Sequence, residues 1–324
     1  MSENIRMKIT EHINNAKGKT LFSFEIIPPK KGQNIQTLYD NIDPLMEFKP
    51  PFIDVTTSRE ERIYIKKEGG LLEQKITRMR PGTVGICASL KYKYDIDPVP
   101  HVLCGGFTKE ETEYVLVDCH YLGIDNVVAL RGDSMKHESS FTSCEGGHSF
   151  ATDLVKQIKD LNHGKYLHEI EESIYKTDFC IGVAGYPEKH FESPNMKSDL
   201  RRLKEKVDAG ADYVVTQMFF DNQKYFDFVD AARNIGIHVP IIPGIKPVSI
   251  PSHLNVLPQI FRVNLPDSLV LEVEKCKDKK EVRQVGIDWA VQQSKELIAA
   301  GVPVVHYYSM GRSSNIKAIA EKVF

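Results

Sequence analysis

Short runs of apolar and β-branched residues recur along the chain, and each leads into a turn signal and then a longer segment of helical period. This alternation is typical of βα units whose strands form a parallel sheet. Eight strands are predicted, at 20–27, 52–57, 99–104, 126–131, 179–186, 213–220, 239–245 and 302–310. Helices are predicted at 35–48, 77–93, 108–122, 149–162, 197–209, 222–236, 251–261 with 281–300, and 313–323. Eight strands with eight helical segments predict an α/β fold, a single-domain (β/α)8 TIM barrel.

The connections divide the chain further. Residues 1–19 are predicted to form an N-terminal helical arm and residues 20–324 the catalytic barrel, because no internal repeat or interdomain linker interrupts them. Three connections are unusually long, at 58–76, 132–148 and 163–177. Segments of that length are usually lids, binding loops or disordered surface.

Composition and charge exclude several classes of protein. The 324 residues include 42 Lys+Arg and 44 Asp+Glu, a net charge of −2, with 41% hydrophobic residues. A balance so close to neutral predicts neither nucleic acid nor an anionic membrane as a partner. The six cysteines lie at least 15 positions apart, so we expect buried free thiols and no metal site. Without a signal peptide or 18 consecutive apolar residues, the expected location is cytoplasmic.

In a barrel the active site lies where the strands end, so polar residues late in apolar strands are the candidates for chemistry. Glu25 stands between Phe24 and Ile26, immediately before two prolines. A carboxyl group there should be partly desolvated, which raises its pKa toward a value useful to a general acid. A structural ion pair with a neighbouring strand explains the residue equally well.

Further polar residues follow the middle strands. Arg131, Gly132 and Asp133 end the fourth strand, where the glycine permits close backbone approach and the two charges could hold a ligand. Alternatively, Asp133 satisfies a turn and Arg131 pairs with it. His101 and Gln217 occupy otherwise apolar strand positions and could also be satisfied core residues. Thr56, which ends the second strand, could simply be a good strand residue.

The strongest local signal follows the fifth strand. Tyr186 and His190 are delivered by that strand, and Asp199 and Lys206 follow seven residues apart, on one face of the next predicted helix. Together they predict a polar and aromatic pocket wall. The chain contains neither G-x-G-x-x-G nor a P-loop motif, so a nucleotide would have to bind at the barrel mouth.

Several segments occur together, in the order and spacing of one family. They are residues 22–29 (FSFEIIPP), 129–133 (ALRGD), 186–190 (YPEKH), 206–211 (KVDAGA), 216–221 (TQMFFD) and 242–245 (IPGI). With these motifs the chain resembles methylenetetrahydrofolate reductase over about residues 20 to 323. The resemblance implies a barrel with non-covalently bound FAD. Hydride passes from NADH or NADPH to the flavin and then to 5,10-methylenetetrahydrofolate, giving 5-methyltetrahydrofolate.

The resemblance also implies residue roles. Glu25 matches the general acid, Asp133 the acidic group between flavin and folate, and Gln217 the folate-binding glutamine. Tyr308 and Arg312 match positions that help to form the substrate site. The positions that match FAD contacts are Thr56, His101, Arg131, Gly132, Asp133, Tyr186, His190, Asp199 and Lys206. Because the family commonly forms dimers or tetramers, we also expect a homo-oligomer.

Some features depart from the family. Residues 57–61 read TSREE where bacterial members often have Tyr-Gly-Ala, and Leu257 stands where a phenylalanine that packs on substrate or nicotinamide is common. The resemblance covers the catalytic barrel alone, so allosteric control by S-adenosylmethionine is not expected. Two other functions fit the residues. One is a flavin-independent lyase or aldolase using Glu25 and Lys206, and the other is a silent ligand-binding barrel.

Overall fold

The computed structural model describes residues 6–134, 140–168, 175–309 and 313–324. The strands in chain order are β1 (Leu21–Ile26), β2 (Phe52–Val55), β3 (Glu61–Lys66), β4 (Leu72–Thr77), β5 (Asp97–Leu103), β6 (Asn126–Leu130), β7 (Cys180–Gly185), β8 (Tyr213–Thr216), β9 (Ile241–Ile242), β10 (Gly244–Ile245) and β11 (Val304–Tyr308). Nine of them form one parallel sheet in the order β10-β11-β1-β2-β5-β6-β7-β8-β9. Its two end strands, β9 and β10, are halves of one predicted strand interrupted at Pro243, so the sheet closes into a nearly complete barrel. The predicted TIM barrel is confirmed.

Helices follow the barrel strands in the predicted order. They are α1 (Ile9–Asn15), α2 (Ile35–Ile42), α3 (Thr83–Tyr94), α4 (Lys109–Tyr121), α5 (Ala151–Asn162), α6 (Met196–Asp208), α7 (Asn222–Asn234), α8 (His253–Phe261), α9 (Asp267–Glu274), α10 (Lys279–Ala299) and α11 (Ser314–Val323). Short 3₁₀ helices cover Asp43–Phe48 and Glu68–Gly70. The helix α9 was not predicted. Within the described ranges, no helix is both long and apolar enough to cross a membrane.

The connection predicted at 58–76 is partly regular structure. Strands β3 and β4 pair as an antiparallel hairpin, from Glu61 opposite Thr77 to Lys66 opposite Leu72. Two glycines with positive φ, Gly69 and Gly70, make the turn between them. These two strands were not predicted. The start of the helix predicted at 77–93 was wrong, because the chain remains extended to Thr77 and the helix begins at Thr83.

Alternation along the strands separates two cores. In β1, Phe22, Phe24 and Ile26 belong to the large apolar cluster shared with the helices, whereas Ser23 and Glu25 are the alternate residues. A smaller apolar cluster within the barrel includes Ile9 of α1. The backbone N–H of Ile9 donates to Asn126 Oδ1 at 2.8 Å. The helix α1 therefore packs at the N-terminal ends of the strands, which leaves the C-terminal ends to form the site.

Candidate active site

A cavity of about 860 Å³ opens at the C-terminal ends of the barrel strands. This is within the range of small-molecule and cofactor sites, about 300–1,000 Å³. Its wall includes these sequence-predicted residues: Glu25, Thr56, His101, Arg131, Gly132, Asp133, Tyr186, His190, Asp199, Lys206, Gln217 and Tyr308. Arg312 lies outside the described residues. The predicted site residues within those ranges therefore share one cavity.

Glu25 lies at the end of β1 with its side chain only 12% exposed, between Asp54 of β2 and Tyr308 of β11 in the sheet register. Its Oε2 lies 3.7 Å from His101 Nε2. Burial raises the pKa of Glu25 to about 7, with His101 lowering it and Asp54 raising it. A carboxyl group with this pKa is protonated in about half of the molecules at pH 7, so Glu25 can donate a proton under neutral conditions.

His101 lies between two carboxyl groups. Its Nε2 is 3.4 Å from Asp54 Oδ2 as well as 3.7 Å from Glu25. Burial by itself lowers the pKa of His101, but the hydrogen bond with Asp54 and the charges of both carboxylates outweigh it, and the pKa is raised. Asp54 was not predicted as a site residue, although it stands between Ile53 and Val55 in β2 as Glu25 stands between Phe24 and Ile26 in β1.

The pair predicted on one face of α6 does reach the cavity. The Lys206 Nζ donates to the backbone carbonyl of Ala184 at 2.5 Å. Burial lowers the pKa of Lys206 to about 8, against the opposing effect of Asp199. The Asp199 carboxylate accepts from Ser193 Oγ at 2.7 Å and from the backbone N–H of His190 at 3.2 Å. Asp199 thus orders the loop that precedes its own helix.

That loop turns sharply after β7. Lys189 adopts a left-handed conformation, with φ of 66°, and its N–H donates to the carbonyl of Tyr186 at 3.0 Å. The turn brings the His190 ring edge-on to Tyr186, with 4.8 Å between centroids. Burial, followed by the nearby charge of Arg131, lowers the pKa of His190. His190 is therefore a neutral donor or acceptor at pH 7.

Arg131 does not pair with Asp133 as the simpler alternative proposed. Its guanidinium lies 2.5 Å from Glu192 Oε2 and over the ring of Phe141, 4.7 Å from the centroid. The backbone carbonyl of Asp133 instead accepts from the Arg59 guanidinium at 2.8 Å. These contacts hold the long Arg131 side chain in the cavity wall.

The opposite wall is formed by Tyr308 and Gln217. The Tyr308 hydroxyl donates to the carbonyl of Thr216 at 2.5 Å, and the Gln217 Oε1 accepts from the N–H of Met218 at 2.9 Å. Gly244 makes room for the tyrosine, since a Cβ there would lie 2.5 Å from Tyr308 Cε2. The ring is therefore fixed by a backbone acceptor and a glycine.

Some residues of the cavity wall were not predicted from the sequence. The start of α5, residues 150–153, lines the cavity, and so does Phe261 at the end of α8. Leu257, considered as a substitute for a stacking phenylalanine, is instead buried in an apolar cluster with Met218 and Val248. Phe261 and Tyr308 pack against the same cluster and line the cavity. Among the residues described, no cluster of three or more His, Cys, Asp or Glu could hold a metal ion.

Comparison with known proteins identifies the family. The family model of methylenetetrahydrofolate reductase matches residues 8–323. The chain is 32% identical over 321 residues to methylenetetrahydrofolate reductase 1 of Schizosaccharomyces pombe, covering 98% of this chain and 48% of that protein. It is 32% identical over 316 residues to methylenetetrahydrofolate reductase (NADH) 1 of Arabidopsis thaliana, covering 94% of this chain and 48% of that protein. The chain thus spans about half the length of these eukaryotic relatives.

A bacterial relative matches over nearly its whole length. The 5,10-methylenetetrahydrofolate reductase of Salmonella typhimurium is 32% identical over 321 residues, 98% of this chain and 95% of that protein. A solved structure shares the barrel fold, with a TM-score of 0.59, 16% identity and 97% coverage of both chains. It is an uncharacterized protein from Clostridium thermocellum that binds two copies of 5-methyl-5,6,7,8-tetrahydrofolic acid. The resemblance deduced from the motifs is confirmed: the chain belongs to the methylenetetrahydrofolate reductase family.

Proposed function

We propose that this barrel reduces 5,10-methylenetetrahydrofolate to 5-methyltetrahydrofolate with NAD(P)H, in a ping-pong reaction through non-covalently bound FAD. The observation that carries the proposal is the largely buried carboxyl group of Glu25, 3.7 Å from His101, in the wall of a cavity large enough for a cofactor and a substrate. Burial raises the pKa of this group to about 7. Family membership supports the reaction. The plant relatives, which are named as NADH enzymes, favour NADH as the reductant.

The groups in the cavity wall fit FAD. Arg131 and Lys206 provide cationic donors for a diphosphate, His190 adds a neutral ring nitrogen, and Asp199 can accept from a ribose hydroxyl. Gly132 has φ of +84° and no Cβ, so a ligand can approach the backbone closely. Arg131 is ordered by Glu192 and Phe141, which reduces the entropy cost of binding.

Thr56, His101 and Tyr186 complete the proposed FAD contacts along the same wall. FAD, when bound, would supply hydride transfer between the nicotinamide and the folate. The protein contributes position and charge.

Glu25 would act in the folate step. The five-membered ring of the substrate opens when its departing nitrogen gains a proton, the C–N bond breaks and an iminium cation remains. We assign that proton to the carboxyl group of Glu25, which leaves Glu25 ionised. The carboxylate of Asp133, in the same cavity, would stabilise the positive charge that develops. Gln217 and Tyr308, together with Arg312, would orient the folate.

The visible absorption spectrum of the purified protein, before and after anaerobic addition of NADH, tests this proposal. We expect the two bands of an oxidised flavin, bleached by NADH. A colourless protein that binds no added FAD would refute the proposal and favour the flavin-independent lyase or aldolase. A flavoprotein that NADH does not reduce would instead favour a silent binding barrel.

A further inference from the structure

The barrel interior next to Glu25 is unusually polar. Ser23, Asp54 and His306 are buried on the neighbouring strands β1, β2 and β11, and Tyr213 is buried on β8. The Ser23 hydroxyl bonds His306 Nδ1 at 2.8 Å. Three of their side-chain atoms have no hydrogen-bond partner among the described residues, namely Asp54 Oδ1, Tyr213 OH and His306 Nε2. Each buried polar group without a partner costs about 1–3 kcal/mol, so this interior is not arranged for stability alone.

Asp54 is the clearest case. Its side chain is 3% exposed, and its neighbours in the strand are the apolar Ile53 and Val55. Among the described residues, its side chain makes one hydrogen bond, the long contact of 3.4 Å with His101. A buried carboxylate with so little compensation destabilises the fold. Asp54 lies directly beside Glu25 in the sheet register, and both carboxyl groups face His101. The charge of Asp54 therefore acts on the protonation of Glu25.

We propose that Asp54 is a positioning residue that keeps the proton on Glu25, by pairing with the imidazolium of His101. The inference rests on the proposed function, because it concerns the acid of the folate step. His101 Nε2 faces both carboxyl groups, at 3.4 Å from Asp54 and 3.7 Å from Glu25. While Asp54 neutralises the imidazolium, Glu25 can remain an uncharged acid. If Asp54 loses its charge, Glu25 is the remaining carboxyl group at this histidine, and it ionises to form the pair.

Apart from Asp54 and His101, the titratable groups described around Glu25 are uncharged at neutral pH. Tyr308 faces it from β11, and burial raises the pKa of that phenol. His306 lies two residues earlier in the same strand, and burial lowers its pKa. On β2 and β5 the facing groups are Asp54 and His101. Within the described ranges, the charge beside Glu25 is therefore set by these two residues.

The test is the pH dependence of the rate at which methylenetetrahydrofolate re-oxidises the NADH-reduced protein, measured by stopped flow. The wild-type rate should fall as pH rises through the pKa of Glu25. In Asp54→Asn the pH at which the rate falls to half should be lower by about one unit. The rate above pH 8 should then be about tenfold lower than in the wild type, while the low-pH plateau is unchanged. In His101→Gln the pH at which the rate falls to half should be higher, because a cation that lowers the pKa of Glu25 has been removed.

Asp97→Asn is a matched control. Asp97 is also buried in a barrel strand and also meets a histidine, His12, at 2.8 Å, but at the end of the barrel where α1 packs. Its loss should lower stability without moving the pH profile. A merely structural role for Asp54 would give the same result in Asp54→Asn.

If the pH midpoint of the re-oxidation rate in FAD-loaded Asp54→Asn is unchanged or higher than in the wild type, the inference is overturned. If that variant does not fold, His101→Gln is the deciding variant. A pH midpoint in His101→Gln that is unchanged or lower than in the wild type also overturns the inference. The infrared carbonyl band of protonated Glu25, identified by its loss in Glu25→Gln, provides a readout without turnover and should show the same shifts. A wild-type protein that folate does not re-oxidise refutes the proposed function, and the infrared titration then still decides the role of Asp54.

Discussion

Burial of an ionisable Glu25 should make the stability of the protein depend on pH. Burial raises the pKa of Glu25 from the ordinary 4.5 to about 7. Each pKa unit corresponds to about 1.4 kcal/mol, so the ionised side chain lowers the free energy of unfolding by about 3 kcal/mol. Because the folded pKa is the higher one, this stability is fully present below pH 4.5 and is lost as the pH rises through 7. The amide in Glu25→Gln cannot ionise, so the variant does not lose this part of the free energy of unfolding as the pH rises.

Urea unfolding of FAD-free wild type and Glu25→Gln, at several pH values from 5 to 8, measures this effect. Most of the change falls in that window, and we expect the difference in free energy of unfolding to move by about 2.5 kcal/mol in favour of the variant. The absolute difference at one pH also contains the packing of the amide, so the change with pH is the informative quantity. Circular dichroism and tryptophan fluorescence should give coincident transitions if unfolding is two-state.

Glu192→Gln is the control. The hydrogen bond with Arg131 lowers the pKa of Glu192, so the stability that this group contributes is present above pH 4.5 and is lost only at lower pH. Its difference from the wild type should therefore stay constant from pH 5 to 8. A constant difference for Glu25→Gln as well would mean that Glu25 is not held in a low-dielectric site, and the reasoning would fail.

Three further outcomes are expected. In Glu25→Gln, flavin reduction by NADH should survive within a few-fold, whereas re-oxidation by methylenetetrahydrofolate should fall by roughly 10²–10⁴-fold in stopped flow; loss of both steps in a folded, FAD-loaded variant would indicate a structural role. Lys206→Met should weaken FAD binding about tenfold or more in a fluorescence titration, and an unchanged affinity would remove the lysine from the cofactor site. In Gly182→Ala a Cβ would lie 2.3 Å from Tyr213 Cζ, so we expect a loss of about 1–3 kcal/mol in urea unfolding, whereas Gly85→Ala, with nothing within 4 Å, should cost nothing.

The barrel could be predicted from the sequence because the pattern that indicates each strand lies within that strand and the turn residues beside it. Each buried strand, such as β6 or β7, is an apolar run bounded by turn residues, and this pattern survives in the fold. The same logic selected Glu25 and His101, which are polar residues in apolar strands near the end where barrel sites lie. Their common cavity follows from the parallel arrangement of the strands.

Contacts between side chains of different strands and loops could not be predicted. In the sequence, Asp54 is a single polar residue in a short strand, and only the strand register places it beside Glu25 and within 3.4 Å of His101. Likewise, Arg131 has a carboxylate two residues away in the sequence, yet its ion pair is with Glu192 on another loop. The hairpin of β3 and β4 could have been found from the alternation ERIYIK followed by a glycine pair.

The proposed reaction passes reducing equivalents from NADH through FAD to a folate, with Glu25 as the proton donor. Its most direct test is to reduce the FAD-loaded protein with one equivalent of NADH without oxygen, add 5,10-methylenetetrahydrofolate, and follow the flavin absorbance while the folate product is identified by mass spectrometry. We expect the oxidised flavin spectrum to return, with one 5-methyltetrahydrofolate formed per flavin. A flavin that stays reduced, or one that re-oxidises without this product, would contradict the proposed function.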